Sequence, residues 1–278
     1  MWEILQPLMP VRDLRKGGMP RKYGDRLILN AIFYVLRSGC QWRMLPYDLV
    51  PFDAAHRWFT HWCKNGTWKA IHDALRDQVR VAAGRAPTPS AAIMDAQTIK
   101  SSDGGQERGF DAGKKTTGRK RHIIVDTLGL ILVVMVTSAS TQDPAGGRLI
   151  LTRLRQVFAT IKLVWADGGY ANSVNNTLLS WAKTQLNLVV QIVKRTDDEK
   201  GFKVLPRRWV VERTFAWLVT NRRLARDYER LTATSETMIL VAMIRLMTIR
   251  LAKQQAAWST AGKRQATRQR TLRFSHPM

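Results

Sequence analysis

Cysteine is nearly absent from this 278-residue chain. Cys40 and Cys63 stand alone with no Cys-x-x-Cys pair, which excludes a disulfide framework and fits a reducing compartment. Cys63 lies close to His56, His61 and His72. That spacing matches no common zinc finger and falls among tryptophans at helical intervals, so no metal is expected there. Long apolar runs are also missing. "LGLILVVMV" and "MILVAMIRLMTIRL" are too short or are broken by arginine, so no membrane span is expected. "MWEILQPLMP" has no basic region ahead of an apolar one and does not read as a signal peptide. Acids are scarce, 21 against 45 Lys+Arg, and the formal net charge of +24 points to a polyanionic partner, nucleic acid above all. The apolar fraction of 45% and the ten tryptophans exclude a disordered basic chain.

What is present divides into two patterns. Residues 25–39 carry a helical stripe of Ile28, Ala31, Ile32, Val35 and Leu36, with Asp25 as the expected N-cap. A second helix is expected over 52–64. A third starts at Thr67, with the stripe Trp68, Ile71, Leu75 and Val79. Together they predict a small all-α module of helix-turn-helix type over 1–82, followed by a linker at 83–90. Residues 91–252 change character. "AAIMDAQTIK" reads as a strand and "DGGQERGFDAGKKTTGRKR" as a basic loop. Two more strands turn at Leu128-Gly129, and helices then alternate with strands at "IKLVWADGGY" and "LNLVVQIVK". Three antiparallel strands followed by helix–strand alternation predict an α/β fold with a ribonuclease H-like layout. The tail, 253–278, has six cations, no acid and no apolar period, and is expected to be disordered.

Three acids occupy places that local structure does not require. Asp95 sits mid-strand, where an unpaired charge is costly. Asp167 ends a strand before Gly168-Gly169, and Glu212 is the one acid between Glu199 and Asp227. Each has a structural alternative: a bend cap for Asp95, a turn for Asp167, an ion pair with Arg208 for Glu212. If the strands of Asp95 and Asp167 are neighbours, and the helix of Glu212 crosses their edge, the three carboxylates converge. Such a cluster needs a cation, and hard oxygen ligands suit Mg²⁺ or Mn²⁺. Two ions would activate a hydroxyl or water and stabilise the leaving oxygen of a phosphodiester. Asp126 at a hairpin and Asp143 at a helix start are read as structural.

"IMDAQTIKSS", "GRKRHIIVDTLGLIL", "WADGGY" and "LPRRWVVERTFAWL" followed by "TNRRLARDYE" resemble the DDE transposases of bacterial insertion sequences, in particular their four/five group. The resemblance spans about residues 5–252. It implies a triad of Asp95, Asp167 and Glu212 that holds Mg²⁺ or Mn²⁺, most simply as two ions. It also implies that the N-terminal helices bind the element's terminal inverted repeats. Related groups carry a tyrosine where Leu205 stands and a lysine where Val219 stands, with Arg222 or Arg223 one turn further on.

The function expected is therefore cleavage and strand transfer of double-stranded DNA by a homodimer bound to that DNA, in the cytoplasm at the nucleoid. The alternatives are a structure-selective nuclease without strand transfer and a non-catalytic DNA-binding regulator. Contacts to the end-repeat DNA are expected from His56, Arg57, His61 and Lys64 on the second helix, and phosphate contacts from two other groups. Lys114, Lys115, Arg119, Lys120 and Arg121 are expected to supply them from the basic loop, and Arg207, Arg208, Arg213, Arg222 and Arg223 from the segment around Glu212.

Overall fold

Alternation along the strands decides the architecture. In the computed structural model the described residues are 1–11, 22–102, 104–171, 177–193 and 206–273, the side chains of 206–207 and 258–273 excepted. The sheet is built from β1 (Ala91–Lys100), β2 (Gly109–Asp111), β3 (Thr116–Val125), β4 (Ile131–Ser138), β5 (Leu163–Ala166) and β6 (Val189–Ile192). Its order is β4-β3-β1-β5-β6, with short β2 beside the start of β3. β3 runs antiparallel to β1 and β4, while β1, β5 and β6 are mutually parallel. Such a sheet, with helices between its parallel strands, is the ribonuclease H-like layout.

Side chains of period two face two different cores. Ile93, Ile123, Val125 and Val134 join one, and Ala92, Met94, Ile124 and Val133 join the other. The second core is closed by α5 (Asp143–Val157) and α6 (Thr177–Leu186). The first is closed by α7 (Pro206–Val219), by α8 (Thr232–Arg273) and by the N-terminal helices. Those are α1 (Trp2–Leu5), α2 (Asp25–Ser38), α3 (Phe52–Lys64) and α4 (Thr67–Ala82).

Sequence periodicity and structure agree over α2, α3 and α4, down to the buried stripe of Trp68, Ile71, Leu75 and Val79. The caps differ by one residue. Gly24 precedes α2 and Gly66 precedes α4, where Asn65 Oδ1 accepts from the Thr67 N–H (3.1 Å) and hydroxyl (2.8 Å). Gly39 ends α2 at φ +72, and a Cβ there would lie 2.9 Å from that of Arg222. Only glycine meets both demands.

One expectation is corrected. Residues 116–121 extend β3 and 109–111 form β2, so the basic loop is shorter than its composition suggests. Cations hid the strand because its pairing partners, Ile99, Lys100 and Ser138 among them, are remote in sequence. α8 continues through Arg273, so 253–273 have a helical backbone and only 274–278 lie outside the described residues. Ala, Gln, Lys and Arg dominate that stretch and favour helix without any apolar stripe.

The segment 83–90 separates secondary structure but not packing. α8 lies against α4, α2 and β4, and one core runs from Ile4 and Trp62 to Ile123 and Ile244. The linker is itself pinned: the Arg80 Nε donates to the Ala86 and Pro87 carbonyls, and Thr160 to that of Pro89. A fragment ending at Ser90 would expose much of this core. It is expected to show no cooperative thermal transition by circular dichroism, and a sharp transition would show these helices to be self-sufficient.

Candidate metal-dependent DNA-processing site

Asp95 and Asp167 meet because β1 and β5 are adjacent and parallel. Ile93 pairs with Trp165, so each aspartate stands two residues further on, on the same face, Asp95 in the middle of β1 and Asp167 just past the end of β5. α7 packs across this face and contributes Arg208 and Glu212, one turn apart. The Arg208 guanidinium lies 3.9 Å from Asp167 Oδ2 and 3.6 Å from Glu212 Oε1. The local pairing weighed for Glu212 is thus present, and it reaches Asp167 as well.

The three acids differ in environment. Glu212 is half exposed and Asp167 accepts the Gly169 N–H at 3.0 Å. Asp95 is largely enclosed and accepts the Ala96 N–H at 2.7 Å. Burial pushes its carboxyl up to about 7. The Asp167 charge adds to this, while the Ala96 N–H, Arg208 and Lys114 oppose it. Among the described residues no three acids lie close enough together to form a ready-made cation site. The donor set nevertheless fits a hard divalent ion. It offers oxygen ligands only, one of them held in an environment that a nearby cation would relieve, with Arg208 placing positive charge between the other two.

Asp143, read as structural in the sequence, and Tyr170 border the acids. Asp143 opens α5 as expected, and its Oδ1 pairs with Lys120 at 2.9 Å. Its Oδ2 and the Asp167 Oδ1 each lie within 3.3 Å of the point where a Gly169 Cβ would stand, so Asp143 faces the acid edge as well. Tyr170 is buried beside Asp95, Asp143 and Asp167, its hydroxyl without a partner among the described residues. Only the strand register and the position of α5 reveal these neighbours.

The expected DNA-binding residues separate by burial. His56, Arg57, His61 and Lys64 lie on the exposed face of α3, with the His56 ring 5.2 Å from that of Trp42. Lys114, Lys115 and Arg222 are exposed too. Arg119, Lys120, Arg121 and Arg223 are not, and their expected role as an open phosphate grip is corrected. Arg119 donates to the carbonyls of Gln106, Glu229 and Arg230 and pairs with Asp227 at 3.3 Å. Lys120 holds Asp143, Arg121 donates to the Leu224 carbonyl, and Arg223 pairs with Glu229 at 2.8 Å. Much of the "RLARDYE" block therefore staples the segment after α7 to the sheet. Asp126, read as structural, is fully buried and paired with Arg80. Arg213 is half-buried, and the side chain of Arg207 lies outside the described residues.

A ribonuclease H-like sheet with aspartates on one face of two adjacent parallel strands fits a nucleic-acid-processing domain. The family model described as "Transposase DDE domain" matches residues 86–247, and the chain belongs to that family. Residues 1–72 match a second model, "Putative transposase of IS4/5 family". Among curated proteins, "Insertion element IS402 uncharacterized 16.2 kDa protein" of Burkholderia cepacia is 28% identical over 113 residues, covering 39% of this chain and 76% of that protein. "Putative transposase for insertion sequence element IS402" of the same organism is 28% identical over 127 residues, covering 41% of this chain and 54% of that protein. No described helix is long and apolar enough to cross a membrane.

Proposed function

We propose that this transposase nicks DNA at the ends of its insertion element and joins the freed 3′-hydroxyl to target DNA. The observation that carries the reading is Arg208 between Asp167 (3.9 Å) and Glu212 (3.6 Å), with Asp95 on the same face of the neighbouring strand. Asp95, Asp167 and Glu212 would hold Mg²⁺ or Mn²⁺, in a pair of ions. Bound there, the metal supplies Lewis acidity to the scissile phosphate and lowers the pKa of the attacking water or hydroxyl. Arg208 is placed to meet phosphate charge, and the half-exposed Glu212 leaves the edge open to a duplex.

The exposed polar side chains of α3, His56, Arg57, His61 and Lys64, present the face suited to the terminal repeats. Lys114, Lys115 and Arg222 would hold backbone nearer the acids. Action on two element ends fits a homodimer on DNA in the bacterial cytoplasm at the nucleoid. The test uses a supercoiled plasmid that carries the gene with its own flanking DNA. With purified protein and Mg²⁺, joined product and flanking inverted repeats are expected. Nicked DNA without any joined product would favour a structure-selective nuclease, and neither product would favour a DNA-binding regulator.

A further inference from the structure

A second concentration of positive charge lies about a quarter turn round α7 from Arg208 and Glu212. Trp209, Arg213 and Trp217 recur every four residues there. The Arg213 guanidinium stacks on both rings, 4.6 Å from the centroid of Trp209 and 4.7 Å from that of Trp217. Arg250 of α8 approaches the same Trp217 ring at 4.3 Å. One helical turn supplies Lys253, and the three cations line a cavity of about 410 Å³ floored by Val79 and Leu128. No carboxylate is among the described residues that line it. The nearby acid, Asp126, is fully buried, and its oxygens are taken by Arg80 and by the N–H groups of Leu128 and Leu130.

Two guanidinium groups against one indole repel each other, and partial burial strengthens the repulsion. The aromatic faces return roughly 0.5–2 kcal/mol per contact, which holds the cations in place without neutralising them. Burial and the neighbouring Arg213 keep the pKa of Arg250 below the usual arginine value, against the buried Asp126, which acts the other way. A stacking role alone would need one arginine, and it would have no use for the exposed Lys253.

We propose that Arg213, Arg250 and Lys253 form a pocket for the sugar–phosphate backbone of duplex DNA, outside the acid edge. Position supports this occupant. Asp95 pairs with Ile123, and Leu128 follows five residues later, within about 16 Å at 3.3 Å per residue. The pocket therefore lies within the span of a duplex seated at the acid edge. The proposal rests on the reading of the chain as a DNA-binding transposase.

The experiment measures equilibrium binding of the full-length protein to a 40-base-pair random duplex (about four helical turns) and to one carrying the flanking repeat, across a KCl series. Lys253→Gln, Arg250→Gln and the double variant are expected to flatten the slope of log affinity against log salt. The loss is about 0.9 per contact, so close to 2 in the double variant, and equal on both duplexes. Arg250→Lys should keep the wild-type slope, since it keeps the charge. An unchanged slope in the single and double variants overturns the pocket. If Arg250→Gln impairs folding, Lys253→Gln decides alone, because that side chain is exposed. A wild-type protein that binds neither duplex removes the DNA-binding reading itself. Steep wild-type binding with unaltered variants removes only the pocket.

Discussion

Asp95→Asn, Asp167→Asn and Glu212→Gln are each expected to reduce Mg²⁺-dependent nicking of repeat-bearing DNA by at least about a thousandfold. Loss of one metal-ligand charge removes several kcal/mol of transition-state stabilisation, and each 1.36 kcal/mol is tenfold. Duplex affinity should stay near wild type, because removing a negative charge beside phosphate does not weaken binding. Asp48→Asn, on an exposed turn, is the control and should nick normally. Wild-type rates in any two of the three variants would sink the triad. Asp95→Asn has a second readout in metal-free protein. A carboxyl raised to about 7 binds a proton more tightly folded than unfolded, so it lowers stability as pH climbs from its unfolded value near 3.9 toward 7. The asparagine variant escapes this penalty, which is below about 4 kcal/mol at three pKa units. Its thermal midpoint should exceed wild type by more at pH 8 than at pH 5. Equal differences at both pH values would contradict the burial of Asp95.

Asp126→Ala is expected to lower the unfolding free energy by about 3–5 kcal/mol, the cost of leaving one partner of a buried ion pair alone. Asp126 is fully buried, pairs with Arg80 of α4, and accepts N–H bonds from Leu128 (2.9 Å) and Leu130 (2.8 Å). It therefore fastens the N-terminal helices to the β3–β4 turn, and its removal strands a buried guanidinium. Lys69→Ala, which breaks an exposed i,i+4 pair with Asp73, should cost no more than about 1 kcal/mol. Denaturant unfolding separates the two. A loss under 1 kcal/mol for Asp126→Ala would show that the pair does not join the two regions.

The helices 25–38, 52–64 and 67–82 and the strands around Asp95 and Asp167 were legible because their signals are local. A buried face repeats every two or every 3.6 residues, and turn residues mark its ends. The acids were legible for a related reason. A lone carboxylate amid apolar or cationic neighbours is costly wherever it lies, so Asp95 and Glu212 declared themselves before any contact was known. What the sequence by itself determined is the two kinds of periodicity, the order of the strands along the chain, and the three acids that local structure leaves unexplained. The tertiary structure alone decided which cations are free. Arg57 and Arg119 have the same side chain, yet one is exposed and the other is fully buried among the carbonyls of Gln106, Glu229 and Arg230. Two of those acceptors lie more than a hundred residues away, as does Leu224 for Arg121. It also decided that Asp143 faces Asp167 and that α8 joins the N-terminal helices to the sheet. The physical reason is one of range. A guanidinium is stable in water or in a complete shell of acceptors, and only the folded chain brings such a shell together.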